Sequence, residues 1–367
     1  MLRSMYAGIS GMKNFQTKLD VIGNNIANVN TAGFKKGRAT FQDMMSQMTS
    51  GAQGATATRG GVNPSQVGLG SQLGSIDNIH TQGFRQTTNN PLDFALEGDG
   101  MFVVASGLGT GNSLEGANVS YTRAGNFYLD EAGNIVNPQG LYLMGFEAVE
   151  TGQTVSIKND VDEKSVFKFN NDGTITANGQ EIPKGDIENN TDTEGNKTTT
   201  VTFNGSETTF TFNSENNVVK AVDNNGEELD TTVESLVDFT DTNSTLTIPE
   251  SAQSFSIQSN GTVNYIDENG TIQVAGKIAI ANFSNPAGLQ KAGSNLFLNS
   301  ENAGYTGLVE PETDGTASIV SGALEMSNVD LAEEFTEMIT AQRGFQANTR
   351  IITTSDEILQ ELVNLKR

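Results

Sequence analysis

The sequence predicts an α+β fold that is mainly β, with one helix at each end of the chain and β-domains between them. Both ends repeat apolar residues every seven positions, and the middle consists of short alternating runs between turns rich in Gly and Asn. The composition, with 35% hydrophobic residues and 40 Gly, is typical of β-structure with many turns. We expect the two helices to form one discontinuous coiled-coil inner domain that carries outer β-domains.

The N-terminal helix is predicted from three apolar rows with heptad spacing. The main row is Met5, Met12, Leu19 and Ile26; the others are Leu2 and Ile9, and Phe15, Ile22 and Val29. Gly8, Gly11 and Gly23 interrupt the stripe, and each costs about 1 kcal/mol relative to alanine in a helix. Small residues also let a neighbouring helix approach closely.

The C-terminal helix has the more regular pattern. Its heptad row is Leu331, Met338, Phe345, Ile352 and Leu359, flanked by Ile351, Ile358 and Leu365. Ser327 or Asn328 is the expected cap, with acidic residues in the first turns and Lys366 and Arg367 at the far end, as the helix dipole favours. Each helix could pack on its own domain, but a pair at opposite ends of one chain favours pairing with each other and with helices of other copies.

The middle of the chain divides into a body and an insertion. Residues 150–250 contain 20 acidic and 6 basic residues, which is −14 of the total net charge of −23. We therefore expect a helical inner domain at 1–30 and 325–367, a hinge and extended linker at 31–88, a β-domain at 89–149 and 251–324, and an inserted acidic outer β-domain at 150–250. Strands are expected at 201–203 and 210–212 within the insertion.

Composition excludes several functional classes. A net charge of −23 argues against nucleic-acid binding, and the absence of Cys removes disulfides and thiolate metal sites. His80 is the single histidine, lies in a polar stretch and is expected at the surface. Asp160, Asp162 and Glu163 lack the spacing of a Ca²⁺ loop. We predict no catalytic site, cofactor or metal, no cleaved signal peptide, and no membrane insertion.

Four segments carry a family resemblance. They are Leu19–Lys35, Leu92–Phe102, Tyr121–Phe127, and Leu324–Leu331 continued by Gln342–Asn348. In this order they resemble the flagellar rod and hook proteins, and together they span most of the chain outside the insertion. The resemblance implies a tube in which the terminal helices form the inner wall and the β-domains face outward.

The first segment is interpreted as a hinge between the inner helix and the outer domains. Asn24, Asn25, Asn28 and Asn30 are expected where the helix stops, since Asn tolerates left-handed backbone and bonds to its own main chain. Gly33 then permits the turn before Phe34. An ordinary helix C-terminus would explain most of these residues equally well.

Within this family, the large insertion favours the hook subunit, with a distal rod subunit as the alternative. The resemblance implies a helical homopolymer that contacts distal rod, hook-filament junction and hook cap proteins outside the cell. It also implies passage through the flagellar type III export apparatus. Phe41 and Met45, at the ends of an apolar-ended pentamer, resemble an export recognition pattern; a short packed turn is the other interpretation.

Two other functional classes are compatible with parts of the sequence. A secreted adhesive β-protein would explain the middle of the chain but not its helical ends. An enzyme would need convergent catalytic groups, which the sequence does not offer.

Overall fold

The computed structural model describes residues 2–56, 58–109, 114, 116–158, 164–170, 174–191, 197–203, 206–212, 218–223, 229–268, 270–313 and 315–365. The Asp160, Asp162 and Glu163 cluster, Lys366 and Arg367 lie outside these residues. The described chain is mainly β with one long helix near each end, which confirms the predicted fold class. No helix in the described ranges is long and apolar enough to cross a membrane.

The two helices, α1 (Leu2–Ala27) and α2 (Leu331–Leu365), form an antiparallel pair. The N-terminal half of α1 lies beside the C-terminal half of α2, where the Thr349 hydroxyl contacts the Met12 sulfur at 3.3 Å. At the other end, Lys18 forms an ion pair with Glu337 at 3.0 Å. This arrangement agrees with the predicted inner helical pair.

The contact seam of α2 contains a row that the heptad analysis missed. Met338, Phe345, Ile352 and Leu359 are partly buried as one row, whereas Leu331 is exposed. The second row is polar or small: Glu334, Ala341 and Ser355 are the buried residues of α2. A search for large apolar residues could not find this row, because its members are small or form hydrogen bonds.

The rows of α1 are likewise only partly covered. Met5, Met12, Leu19 and Ile26 are partly buried, Ile9 is exposed, and Ile22 is the buried apolar residue of the helix. Gly8 and Gly11 face α2, where an added Cβ would lie 3.3 Å from Ile352 and 2.7 Å from Asn348. These two glycines allow the close approach that their size predicts.

The α2 cap differs from the sequence expectation. The Asp330 carboxylate accepts a hydrogen bond from the Ala332 N–H at 2.8 Å and is therefore the N-cap. Ser327 instead accepts from the N–H of Val329, and Asn328 reaches back to the segment after α1. Glu333 and Glu334 occupy the first turn, as predicted.

Residues 31–88 contain strands rather than a simple extended linker. β1 (Gly37–Asp43) pairs with β4 (Ser71–Asn78), and β2 (Ser46–Ser50) pairs with β3 (Ser65–Gly68), both antiparallel. We call residues 37–78 the hairpin arm. Its base lies along α1, with contacts at Asn25 and Asn14. The sequence missed these strands because their side chains are mostly polar and exposed, which removes the period-two pattern.

The first part of the β-body is built around a strand that is buried on both faces. Its strands are β5 (Arg85–Thr87), β6 (Phe94–Glu97), β7 (Met101–Ser106), β8 (Asn118–Thr122), β9 (Tyr128–Leu129), β10 (Ile135–Val136) and β11 (Tyr142–Lys158). Phe102 and Val104 of β7 enter one core, and Met101, Val103 and Ala105 enter another. A strand that is buried on both faces has a continuous run of apolar residues in its sequence, as β7 does.

The insertion is joined to the body by a long two-stranded ribbon. After β11 come β12 (Lys164–Asn170), β13 (Ile175–Ala177), β14 (Gln180–Glu181), a 3₁₀ turn (Lys184–Asp186), β15 (Ile187–Thr191), β16 (Lys197–Phe203), β17 (Ser206–Phe212), β18 (Val218–Asp223) and β19 (Asp230–Thr245). β19 runs antiparallel along β11 from Lys158 to Met144. Val155, Phe167 and Phe210 belong to a core separate from the two body cores.

The chain then returns to the body and ends at α2. The remaining strands are β20 (Ser254–Ile257), β21 (Thr262–Ile266), β22 (Ile272–Ile278), β23 (Ile280–Phe283), β24 (Gln290–Gly293), β25 (Leu296–Leu298), β26 (Tyr305–Val309), β27 (Ser318–Ser321) and β28 (Ala323–Glu325), with a 3₁₀ turn at Pro286–Gly288. β27 pairs with β6 and β28 with β5. β27 and β28, which precede α2, are therefore paired with strands of the β-body.

Two glycine substitutions test the helix pair. A Cβ at Gly344 would lie 2.5 Å from the Phe15 ring, whereas a Cβ at Gly23 meets no atom within 4 Å. We expect Gly23→Ala to stabilise the protein by about 0.5–1 kcal/mol. Gly344→Ala should be less stable than Gly23→Ala by about 1–3 kcal/mol, because it overpacks the seam. Thermal unfolding followed by far-UV circular dichroism measures both, and equal stabilities would contradict the close approach.

Candidate functional site: the junction of helix pair and β-body

The chain leaves α1 through a turn that depends on the predicted hinge residues. Asn28 donates from its side chain to the Asn24 carbonyl oxygen at 2.9 Å, and Asn30 is exposed. Gly33 has φ +71°, and an added Cβ would lie 2.4 Å from the Ala124 backbone nitrogen. Both the left-handed backbone and the lack of space require glycine here. The turn directs Phe34 and the next residues into the body.

Asn25 holds three parts of the molecule together rather than ending the helix. It lies inside the last turns of α1 and is 1% exposed. Its side chain accepts from the Gly37 N–H and donates to the Gly37 carbonyl oxygen, both at 2.9 Å, and donates to Glu334 at 3.2 Å. It therefore links α1, the hairpin arm and α2.

A buried cluster of three charged residues lies just beyond this turn. Lys35, Arg123 and Glu325 are 1%, 6% and 2% exposed. The Lys35 Nζ lies 2.7 Å from Glu325 Oε1, and the Arg123 Nε lies 2.6 Å from Oε2. We call these three residues the charge cluster. It joins three of the four resembling segments, which are far apart in sequence.

The remaining donors of the charge cluster are bonded to backbone. Lys35 donates to the Thr81 carbonyl oxygen at 2.8 Å, and Arg123 donates to the carbonyl oxygens of Gly98 at 2.6 Å and of Gly100. Glu325 Oε1 also accepts from the Gly83 N–H at 2.9 Å. Buried charges are tolerated only when they are paired and hydrogen-bonded in this way.

The charges in the cluster set the protonation of its members. Burial opposes ionisation of Glu325, but Arg123 and Lys35 outweigh it and hold the pKa of that carboxyl below its usual range. Burial, together with the positive charge of Arg123, lowers the pKa of Lys35 despite the nearby carboxylate of Glu325. Glu325 is thus ionised at neutral pH, which keeps the two cations compensated.

A second side chain fastens α2 to the segment after α1. Asn328 accepts from the Lys36 N–H at 2.8 Å and donates to the Ile79 carbonyl oxygen at 2.8 Å. Lys36 also forms a more exposed ion pair with Glu333 at 2.8 Å. The start of α2 is therefore held to the exit of α1 by hydrogen bonds and not by apolar contact alone.

His80 is not the surface residue that the sequence predicted. Its two ring nitrogens are buried without a hydrogen-bond partner among the described residues, and its ring lies 5.6 Å from that of Phe297. It borders a small cavity shared with Lys35 and Arg123. Burial and the charge of Lys35 lower its pKa to about 4. The burial of the His80 ring nitrogens was not predicted, because the neighbours of His80 in sequence are mostly polar. His80 follows β4, whose residues are mostly exposed.

The two candidate export residues lie on the hairpin arm. Phe41 belongs to β1, where the pairing register shifts next to Thr40, and Met45 follows the strand. Their exposed fractions are 39% and 84%. A short packed turn is therefore not what the structure has here.

Lys35, Arg123 and Glu325 belong to the segments that carry the family resemblance, but the sequence analysis assigned no role to them. Lys35 follows Gly33 and Phe34, Arg123 precedes Ala124 and Gly125, and Glu325 stands between Leu324 and Met326, so each charge has apolar or glycine neighbours in sequence. That contrast was the available signal, since a charge among buried neighbours needs a partner. The described residues contain no group of three or more His, Asp or Glu placed to bind a metal.

Comparison with known proteins agrees with this geometry. Three family models match: "Flagella basal body rod protein" at residues 5–35, "Flagellar hook protein FlgE/F/G D1 domain" at 95–177, and "Flagellar basal body rod FlgEFG protein C-terminal" at 320–365. The first and last cover α1 with its exit turn and α2 with the strands before it. The middle match runs past residue 150, so it includes the start of the predicted insertion.

Curated relatives match along the whole chain. The flagellar basal-body rod protein FlgG of Bacillus subtilis is 43% identical over 368 residues, covering 100% of both chains. This chain belongs to the flagellar hook and rod protein family. The hook protein FlgE of Borreliella burgdorferi is 38% identical over 450 residues, again covering 100% of both chains, and that of Escherichia coli is 30% identical over 98% of each.

Membership in this family assigns the chain to a class of structural proteins. Flagellar hook and rod proteins are structural subunits, and the family implies self-polymerisation within an axial structure. Within the subunit, the charge cluster and the Asn25 and Asn328 hydrogen bonds join the helix pair to the β-body and the hairpin arm.

Removing the central carboxylate tests the cluster. We expect Glu325→Gln to destabilise the protein by about 3–5 kcal/mol, because Lys35 and Arg123 would remain buried without a counter-charge. Glu97→Gln is the control, since Glu97 pairs with Arg85 at 3.3 Å at an exposed site and should cost less than about 1 kcal/mol. Urea unfolding of both variants measures this, and similar losses would argue against the cluster as a structural centre.

Acid stability should depend on His80. Its folded pKa of about 4 lies below the ordinary value of 6.5, so the unfolded chain takes up the proton first. Stability should therefore fall as pH drops from about 6.5 to 4, by at most about 3 kcal/mol. Glu325 acts in the same direction but at lower pH, as its depressed pKa is approached. His80→Gln should flatten the curve between pH 6.5 and 4 in denaturant titrations; an unchanged slope would refute the assignment.

Proposed function

We propose that this chain is a structural subunit of the bacterial flagellar hook, polymerising into the flexible tubular joint that transmits torque from rod to filament. The observation that carries the proposal is an apolar surface that nothing in the described chain covers, in a protein whose full-length relatives include hook proteins. This surface lies on the hairpin arm and on α2.

The hairpin arm is expected to have little stability of its own. All residues of β2 and β3 are exposed, and a two-stranded hairpin without other support is marginally stable in water. Its exposed large apolar residues are Phe41, Met45, Met48, Val62, Val67, Leu69, Leu73 and Ile76. Exposed apolar surface of this extent marks an interaction site, and in a homopolymer the partner is another copy of the chain.

The outer side of α2 offers a second surface. Its exposed large apolar residues are Leu331, Phe335, Ile339, Ile351, Ile358, Leu362, Val363 and Leu365. Ile351 borders the seam beside Gly8, and all eight side chains are exposed in the single chain, so α2 can contact helices of neighbouring copies while it keeps its own partner. Helices packed side by side in this way would form the inner wall of a tube.

A distal rod subunit is the second candidate. The Bacillus subtilis relative is named a rod protein, and its alignment of 368 residues covers both chains completely. Relatives with rod and hook names both span residues 150–250, so the insertion does not separate the two candidates. Rod and hook subunits would share the same inner helices and differ in their place along the axis.

The remaining parts of the proposal concern location and partners. As a hook subunit, the chain acts outside the cell without enzymatic activity and contacts rod, hook-filament junction and hook cap proteins. It reaches that place through the flagellar type III export apparatus. Phe41 and Met45 are candidates for recognition there, since both are exposed and close together in sequence.

Immunogold electron microscopy of flagellated source cells tests the proposal. An antibody against residues 150–250 should label a short curved segment between the cell and the filament. Label seen only on stripped basal bodies would assign the chain to the distal rod, and no flagellar label would refute both. In the same strain, Phe41→Ala should retain folded subunit inside the cell; normal secretion would remove the export role of Phe41.

A further inference from the structure

The hairpin arm carries the most exposed methionines of the described residues. Three of the 10 methionines, Met44, Met45 and Met48, all lie between positions 44 and 48, where β1 has ended and β2 begins. Met45 and Met48 are 84% and 59% exposed, whereas Met101 and Met144 of the β-body are 3% and 0% exposed. Two thioether sulfurs on the arm are therefore open to reagents in water, and those two of the body are not.

Methionine is the side chain of this protein that a peroxide oxidises first, because the chain has no Cys and no Trp. A lone pair of the thioether sulfur attacks one oxygen of the peroxide. The S–O bond forms as the O–O bond breaks, a proton passes to the departing oxygen, and hydrogen peroxide is reduced to water. The sulfur is oxidised, and an apolar side chain becomes a polar sulfoxide.

The free subunit can carry this change without unfolding the arm. Met48 lies opposite Gln66 in the pair of β2 and β3, and the Met44 N–H donates to the Gly70 carbonyl oxygen at 2.9 Å. The arm is thus held beside Met45 and Met48 by main-chain hydrogen bonds, which a side-chain sulfoxide leaves in place. Because both side chains are exposed, water solvates the new oxygen atoms as long as the arm stays uncovered.

We propose that Met45 and Met48 are modification sites, at which oxidation to the sulfoxide by a peroxide prevents a free subunit from joining the polymer. This inference rests on the proposed self-assembly through the hairpin arm. A neighbouring copy that covers the arm must remove water from the sulfoxide oxygens, and burial of a polar group without a hydrogen-bond partner is unfavourable. The unoxidised thioethers favour the same contact, because they are apolar and adapt to irregular surfaces.

A competition between oxidised and unoxidised subunits tests the inference with the unsubstituted chain. The full-length chain is partly oxidised with hydrogen peroxide, the peroxide is removed, and polymerisation is started. Peptide mass spectrometry then measures the sulfoxide fraction at each methionine in the pelleted polymer and in the subunits left in solution. Met5, Met12 and Met338, which are partly buried residues of the two helices, are the internal comparison.

Sulfoxide at Met45 and Met48 should be depleted by about tenfold or more in the polymer relative to the soluble subunits, because each buried sulfoxide opposes assembly. Equal sulfoxide fractions at these two positions in both pools would overturn the inference while leaving the proposed function in place. Depletion confined to Met5, Met12 or Met338 would also overturn it. Failure of the untreated chain to polymerise would instead count against the proposed function.

Two paired variants locate the effect. Met45→Leu/Met48→Leu removes both thioethers at nearly constant volume, and Met5→Leu/Met12→Leu is the matched control that keeps them. Each variant is compared after the same peroxide treatment with its own untreated sample. Peroxide should reduce polymerisation of the control variant as much as that of the unsubstituted chain, and that of Met45→Leu/Met48→Leu by less than about twofold.

An equal loss of polymerisation in both paired variants would show that the sensitive methionine lies elsewhere, and the inference would be wrong. If either variant does not assemble before treatment, the competition in the unsubstituted chain decides the question, because it needs no substitution.

Discussion

The carboxylate of Glu325 neutralises two cations that the fold buries between the helix pair and the β-body. Lys35 comes from the exit of α1, Arg123 from the body, and Glu325 from the strand before α2. A buried charge without a partner is strongly unfavourable, so these three segments are stable only when they meet. The placement of both helices relative to the body depends on this meeting, and Gly33 and Gly83 bring the backbone close enough for it.

The helix pair is specified by polarity and size as much as by hydrophobicity. Its seam contains a buried Glu334 bonded to Asn25, together with Ala341, Ser355 and glycines that allow close approach. Polar groups at a helical seam fix register, because shifting them would leave hydrogen bonds unmade. The exposed apolar residues of α2 belong to the surface that we propose for contact with other copies of the chain.

The molecule combines a buried polar connection with exposed outer surfaces. The junction is held by buried ion pairs and hydrogen bonds, whereas the hairpin arm and the outer domain present their surfaces outward. The outer domain has a core of its own and is linked to the body by the ribbon of β11 and β19.

The sequence alone determined the two terminal helices, the mainly β middle and the family, because heptad spacing, alternation and signature segments are local patterns. Hydrophobic periodicity could not reveal the strands of the hairpin arm or the Glu334 row, whose residues are exposed or polar. Only the tertiary structure showed that Lys35, Arg123 and Glu325 meet and that His80 is enclosed beside them. Contacts between residues 290 positions apart, such as Lys35 and Glu325, depend on how the whole chain packs, and no local pattern encodes them.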